Sequence, residues 1–183
     1  GTVNVPNIGS SSNPFSNVTL SGNSILLGSF FSSNLTINNA GAFSPTAAIS
    51  VSGDFKQTGA GAVSLGYDII AGDDLSFTGA VTVTDSVALT GLGGISFSGP
   101  VLANAPGYNL TLDVGDSTMT FPVIGSSGNP FNLVSLTGGT MTLNSAIYTT
   151  SLTVDNSGIL TITADPISLT GNFLQTGTNT VTL

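Results

Sequence analysis

Short apolar–polar alternations recur from one end of the chain to the other. "NVTLSG" (Asn17–Gly22), "NLTINN" (Asn34–Asn39), "AISVSGDF" (Ala48–Phe55) and "DLSFTG" (Asp74–Gly79) put a large apolar residue at every second position. "NLTLDV" (Asn109–Val114), "LVSLTG" (Leu133–Gly138) and "SLTVDN" (Ser151–Asn156) do the same. The letters between are mostly Ser, Thr or Asn, and this period of two is the pattern of a strand with one buried face. Gly, Asn, Asp or Ser closes nearly every run, so the predicted strands are brief, about 4–6 residues each. No stretch carries the i, i+3, i+4, i+7 apolar stripe of an amphipathic helix. The pattern predicts an all-β chain.

The alternations repeat at two lengths. "IGSSSNPF" (Ile8–Phe15) returns as "IGSSGNPF" (Ile124–Phe131), 116 positions later (124 − 8). The echo runs on until "ISVSGDFKQTGAGAVSL" (Ile49–Leu65) faces "ISLTGNFLQTGTNTVTL" (Ile167–Leu183), offset by 118 (167 − 49). Residues 8–65 are therefore echoed by 124–183. Inside this lies a shorter period: Thr-X-Thr triplets begin at Thr118, Thr140, Thr161 and Thr180, spaced by 22, 21 and 19 positions. Some twenty residues holding two or three short strands make one coil of a β-solenoid, which buries its apolar face only by stacking on its neighbours. The expected fold is one parallel β-solenoid over 1–183, of roughly nine coils in a rod on the order of 40 Å long. Its hand should be right, as β-crossovers are. A sandwich or barrel also uses many short strands, but does not repeat at two nested periods.

Composition narrows what such a rod does. The chain has one Lys or Arg, nine acidic residues, no His, Cys or Trp, and a net charge of −8. All nine acids are Asp. Charged residues make up 5%, against roughly 25% in ordinary domains. Lys56 alone does not neutralise a phosphate backbone, which excludes nucleic acid as a partner, and the acidic balance opposes anionic lipid. No apolar run is long enough to span a bilayer, so no membrane insertion is expected, and no basic segment followed by an apolar one opens the chain at Gly1. Without His, Cys or Glu there is no Ser–His or Cys–His nucleophile, and a two-carboxylate glycosidase would rest on Asp alone. The expectation is a non-enzyme without a cofactor.

Several residues remain as candidates. Asp73 and Asp74 in "AGDDLSF" and Asp113 and Asp116 in "DVGD" offer oxygen ligands for a cation. No EF-hand spacing or Gly-rich calcium nonapeptide accompanies them, and turn-capping carboxylates are expected instead. Ile8 and Ile124 should each end a strand, with Asn13-Pro14 and Asn129-Pro130 as corners where the missing proline N–H does no harm. Phe15 with Phe131, and Phe55 with Phe173, recur at matched positions and should pack inside the coil. In the Thr-X-Thr column, Met119, Met141, Ile162 and Val181 should point inward. The threonines should be structural, because Ser24 and Leu26 break the column in the first copy.

The blocks "ISFSGPV", "FKQTGAGAVSLG" and "IGSSGNPF", set between "LTL" and "LTV" strands, resemble the repeats of filamentous haemagglutinin-like bacterial surface proteins. The resemblance covers most of the chain, and lies in repeat length, composition and style. It implies a right-handed β-helical shaft segment of an adhesin exported to the cell surface. The implied partners are flanking repeats or end-to-end copies, and a host or surface glycan or protein receptor. The end at "VTL", partway through a repeat, is what a segment of something longer would show. Two other readings stand beside the shaft: a carbohydrate-active β-helix using surface Asp, and a self-assembling extracellular fibre.

Overall fold

The computed structural model describes residues 1–177 and 179–182; Thr178 and Leu183, both within the second copy of the long repeat, lie outside the described residues. Every regular element among those described is a strand, from Thr2–Ile8 to Val181–Thr182, and there is no helix. The strands stack in parallel as a β-solenoid. One column of inward side chains, Val3–Ile25–Phe43–Val63–Val81–Val101–Ile124–Ile147–Ile167, runs the whole length and counts out nine coils.

That column marks the first of three faces. Ile8–Phe30–Ile49–Ile69–Leu89 marks the second. Val18–Leu35–Phe55–Leu75–Ile95 marks the third. The 16-residue strand Ser24–Asn39 bends round all three, pairing in turn with Phe43–Pro45, Ile49–Val51 and Phe55–Gln57. In those short strands the middle residue faces out and its two neighbours are buried, which is the two-residue period made physical. Buried apolar residues from Ile25 to Leu160 form one continuous core. Along it Phe43, Phe55, Phe77 and Phe97 follow one another at ring-centre distances of 6.0, 5.6 and 5.4 Å. Each buried ring contributes on the order of 2 kcal/mol of transfer free energy.

A polar thread runs beside that core. Gln57 and Asn39 are fully buried. Gln57 Nε2 donates to Asn39 Oδ1 at 2.6 Å and to the Gly59 carbonyl, and Gln57 Oε1 accepts the amides of Thr78 and Gly79 at 2.9 and 2.8 Å. The side chain thus ties three successive coils together. Gln175 and Asn156 repeat the arrangement, with Nε2 to Oδ1 at 2.7 Å. Among the described residues no buried side-chain nitrogen or oxygen lacks a partner, as a low-dielectric interior demands.

The long repeat is faithful in three dimensions. Phe15 pairs with Ser32 as Phe131 pairs with Thr149, and Leu35 pairs with Phe55 as Leu152 pairs with Phe173. Yet the copies occupy different faces. Ile8 stands in the second-face column, whereas its equivalent Ile124 stands in the first-face column. Five coils lead from Ile8 through Phe30, Ile49, Ile69 and Leu89 to Leu112. The chain then crosses the third face at Met119 before it reaches Ile124. The repeat is five coils and two faces long, so the second copy is turned about the axis by one face.

Four expectations need correction. Phe15 is 55% exposed and Phe173 44%, although Phe131 and Phe55 are fully buried. The four do sit at matched register positions, but the exposed two belong to terminal coils with no described coil beyond them. Ile124 does not end a strand; it forms isolated parallel bridges to Val101 and Ile147, whereas Ile8 does close the strand Thr2–Ile8. In the Thr-X-Thr column Ile162 does face the core, but the residue in register with Met119, Met141 and Val181 is Leu160. Ile162 pairs with Leu143. The coil from Met141 to Leu160 is 19 positions long (160 − 141) against 22 before it (141 − 119), which slides that triplet by two.

Candidate functional site

The two octapeptide corners are built alike. Gly9 and Gly125 take positive φ, 73° and 71°, where a side chain is strained. A Cβ on either would lie 2.3 Å from the Phe31 carbonyl oxygen or 2.4 Å from that of Tyr148, and Phe31 and Tyr148 are themselves repeat equivalents. The Asn13 amide donates to Ser10 Oγ at 3.1 Å, and the Asn129 amide to Ser126 Oγ at 3.1 Å. Pro14 and Pro130 follow each loop and lead into the strands Phe15–Gly22 and Phe131–Gly138. Beside the first corner, Ser11, Pro14, Phe31, Ser32, Ser50 and Ser52 line a depression of about 180 Å³.

The third face holds a second feature. Its ladder is continuous as far as Gly94–Phe97, and resumes at Met119–Thr120, which pairs forward with Met141. Between those two strands no ladder forms among the described residues, so the face is divided between two sheets. The step across the break is 24 positions (119 − 95), against 20 for the preceding step (95 − 75), and the added length passes through turns at Gly107 and Gly115 with positive φ. A groove of about 430 Å³ lies over this face, lined by Lys56, Asp74, Leu75, Ser76, Gly94, Ile95, Ser96 and Thr118. Lys56, Ser76 and Ser96 are successive outward residues one coil apart. The groove therefore runs along the rod axis and reaches Thr118 across the break.

The chain's one cation lies in this groove, held at 2.6 Å by Asp54. The Lys56 hydrogen bond holds the Asp54 carboxyl below the usual carboxylate range, and the Asp54 carboxylate in turn raises the Lys56 ammonium above its ordinary value. Both groups are partly exposed, so the pair contributes little to stability. Asp73 and Asp74 stand one coil further on: the Asp74 amide donates to Asp54 Oδ1 at 3.3 Å, and the Asp73 carbonyl accepts the Gly93 amide at 3.0 Å. Asp113 Oδ1 accepts the Gly115 amide at 2.9 Å within its own turn. Asp116 Oδ1 accepts Ser157 Oγ at 3.1 Å from a later coil. Among the described residues no three acidic side chains converge as a cation would require.

No family model, curated protein or solved structure matches the chain. What distinguishes this surface is therefore read from its own geometry: a mostly uncharged hydroxyl- and amide-rich exterior, with one cation beside three carboxylates. Two features escaped the sequence reading. The groove gathers residues 20 or more positions apart, which become neighbours only once the coil period is applied. The Gln57–Asn39 thread was signalled by "QTG" at Gln57–Gly59 and Gln175–Gly177, where a polar residue takes an inward place in both copies.

Proposed function

We propose that the chain is a length of shaft from an exported bacterial cell-surface adhesin or extracellular filament, holding a binding element away from the cell. The observation that carries this reading is the core itself. It fills the rod from coil to coil with stacked Phe, Leu, Ile and Val. The mechanical virtue of such a rod follows from its ladders: strands of adjacent coils are hydrogen-bonded in parallel, so each coil is anchored on both sides. The resemblance to filamentous haemagglutinin-like repeats supports the cell-surface setting. Antibody raised to the purified chain should label intact source cells without permeabilisation. Labelling that appears only after lysis would overturn the surface assignment.

The carbohydrate-active alternative rests on the groove over Lys56 and Asp74. It predicts that the purified chain releases reducing ends or unsaturated products from acidic or neutral glycans. It also predicts that Asp73→Asn with Asp74→Asn abolishes that release. The shaft reading predicts no release from either protein.

A further inference from the structure

The register of the coils assembles an array that the letters alone do not show. The strands Met119–Thr120, Met141–Leu143, Leu160–Ile162 and Val181–Thr182 form a sheet of their own on the third face. Their outward residues Thr120, Thr142, Thr161 and Thr182 stand in one column, each paired with the next. The residues before the inward side chains, Thr118, Thr140, Ile159 and Thr180, make a second column. It is held in step by the amides of Met119, Met141 and Leu160, which donate to the carbonyls of Thr140, Ile159 and Thr180 at 3.0, 2.9 and 3.0 Å. Seven of these eight positions are threonine. Ser24 and Leu26, which break the series by letter, flank Ile25 in the first-face column. The one-face turn of the second copy leaves them outside this array.

The array is regular and free of charge. Successive side chains of one column are about 4.8 Å apart, and the two columns are separated by two residues of strand, about 6.6 Å. β-Branching confines χ1, so each threonine holds its methyl and hydroxyl in a narrow range of settings. Met119, Met141 and Leu160 are buried beneath and fix the strands from inside. Elsewhere the Thr46, Thr58 and Thr149 hydroxyls are engaged by main-chain carbonyls. Among the described residues the seven threonines of the array make no such bond, and their hydroxyls are left to water. No Asp, Glu, Lys or Arg occurs in the four strands.

We propose that this face binds ice. Its two spacings approximate oxygen repeats along two axes of hexagonal ice. A methyl group orders the first shell of water around it, and a hydroxyl beside it anchors that shell by hydrogen bonds. Repeated on spacings that ice shares, the ordered layer merges with a growing crystal surface. A charged side chain would keep its own hydration shell and interrupt the layer, and none stands here. Ile159, 50% exposed, supplies methyl groups without a hydroxyl and is the one defect. The first face has the same coil spacing but no such array, since its outward pairs include Ser24 with Leu26, Ala42 with Ser44 and Ala62 with Ser64.

The test is slow growth of ice from a solution of the purified chain. The chain should enter the ice while an inert protein of similar size stays in the liquid, and it should keep small crystals from coarsening. Thr142→Tyr sets a ring in the middle of the array and should lower the fraction taken up about tenfold. Ser64→Tyr sets the same ring on the first face and should leave uptake unchanged, with circular dichroism showing the same β spectrum for both variants. Ile159→Thr completes the array at an exposed position and should raise uptake, which keeps the test decisive if Thr142→Tyr does not fold. Uptake no greater than that of the inert protein would overturn the proposal. Equal losses in Thr142→Tyr and Ser64→Tyr would do the same, as would no gain from Ile159→Thr. None of these results touches the shaft reading, which rests on the core and not on this face.

Discussion

Gln57→Leu is the substitution whose cost the structure specifies most closely. The leucine nearly preserves volume and satisfies the apolar surroundings, so no cavity term enters. What changes is hydrogen bonding. The Gly79 amide, Asn39 Oδ1 and the Gly59 carbonyl each lose a bond to Gln57, while the Thr78 amide keeps the Gln57 backbone carbonyl at 3.0 Å. Three buried groups are left short, at about 1–3 kcal/mol each, partly offset by the added apolar burial, for a net loss of about 3–5 kcal/mol. Against a total stability of about 5–15 kcal/mol that is a large fraction. Gln175→Leu provides the internal control. The same side chain there is half-buried and reaches only the preceding coil and its own turn, so its loss should cost about 1 kcal/mol. Urea unfolding followed by circular dichroism should give a clearly lower midpoint for Gln57→Leu with an unchanged slope. Equal midpoint shifts for the two variants would refute the claim that the thread between coils, and not glutamine as such, carries the stability.

Other expectations follow from the same packing. Phe55→Ala removes a fully buried ring between Phe43 and Phe77 and should cost about 3–5 kcal/mol by urea titration, whereas its equivalent Phe173→Ala should cost under about 1.5 kcal/mol. Gly61→Ala drives a Cβ to within 1.6 Å of the Gly41 carbonyl oxygen and should abolish soluble expression or lower the thermal midpoint steeply, whereas Gly128→Ala, with nothing within 4 Å, should be silent. The Asp54 carboxyl is held low by Lys56, so its contribution is present above its ordinary value of 3.8 and is lost as pH falls through the lower folded value. Thermal midpoints should therefore stay level from neutral pH down to mildly acidic buffer, and Asp54→Asn should make the fall below that range shallower. Asp73→Asn with Asp74→Asn should move the unfolding free energy by no more than about 0.5 kcal/mol, measured in urea.

The coil count and the all-β class were legible because alternation and spacing are properties of single strands and single periods. Burial of the matched phenylalanines was only half legible. Phe15 and Phe55 carry the same letter in the same kind of strand, and what separates them is whether another coil lies above. The slip from Ile162 to Leu160 has a similar origin: triplets that look alike need not share a register when the intervening coil is three residues shorter. The one-face turn between the long copies was present in the numbers, since 116 is not a whole multiple of a period near twenty. Two nested periods conceal it, because nesting presumes a whole number of coils in each long repeat. The groove was illegible for a different reason, as it depends on a ladder that fails to form between Ile95 and Met119.

That turn also governs how such a chain presents itself to its surroundings. A loop carried once per copy, like the Ser10–Asn13 corner and its Ser126–Asn129 counterpart, emerges from a different edge of the prism in each copy. Three successive copies would carry it through the full circle, as steps on a spiral stair. A rod decorated in this way has no front and no back. Within this chain the two corners already stand one face apart, so two edges of the rod carry the same loop.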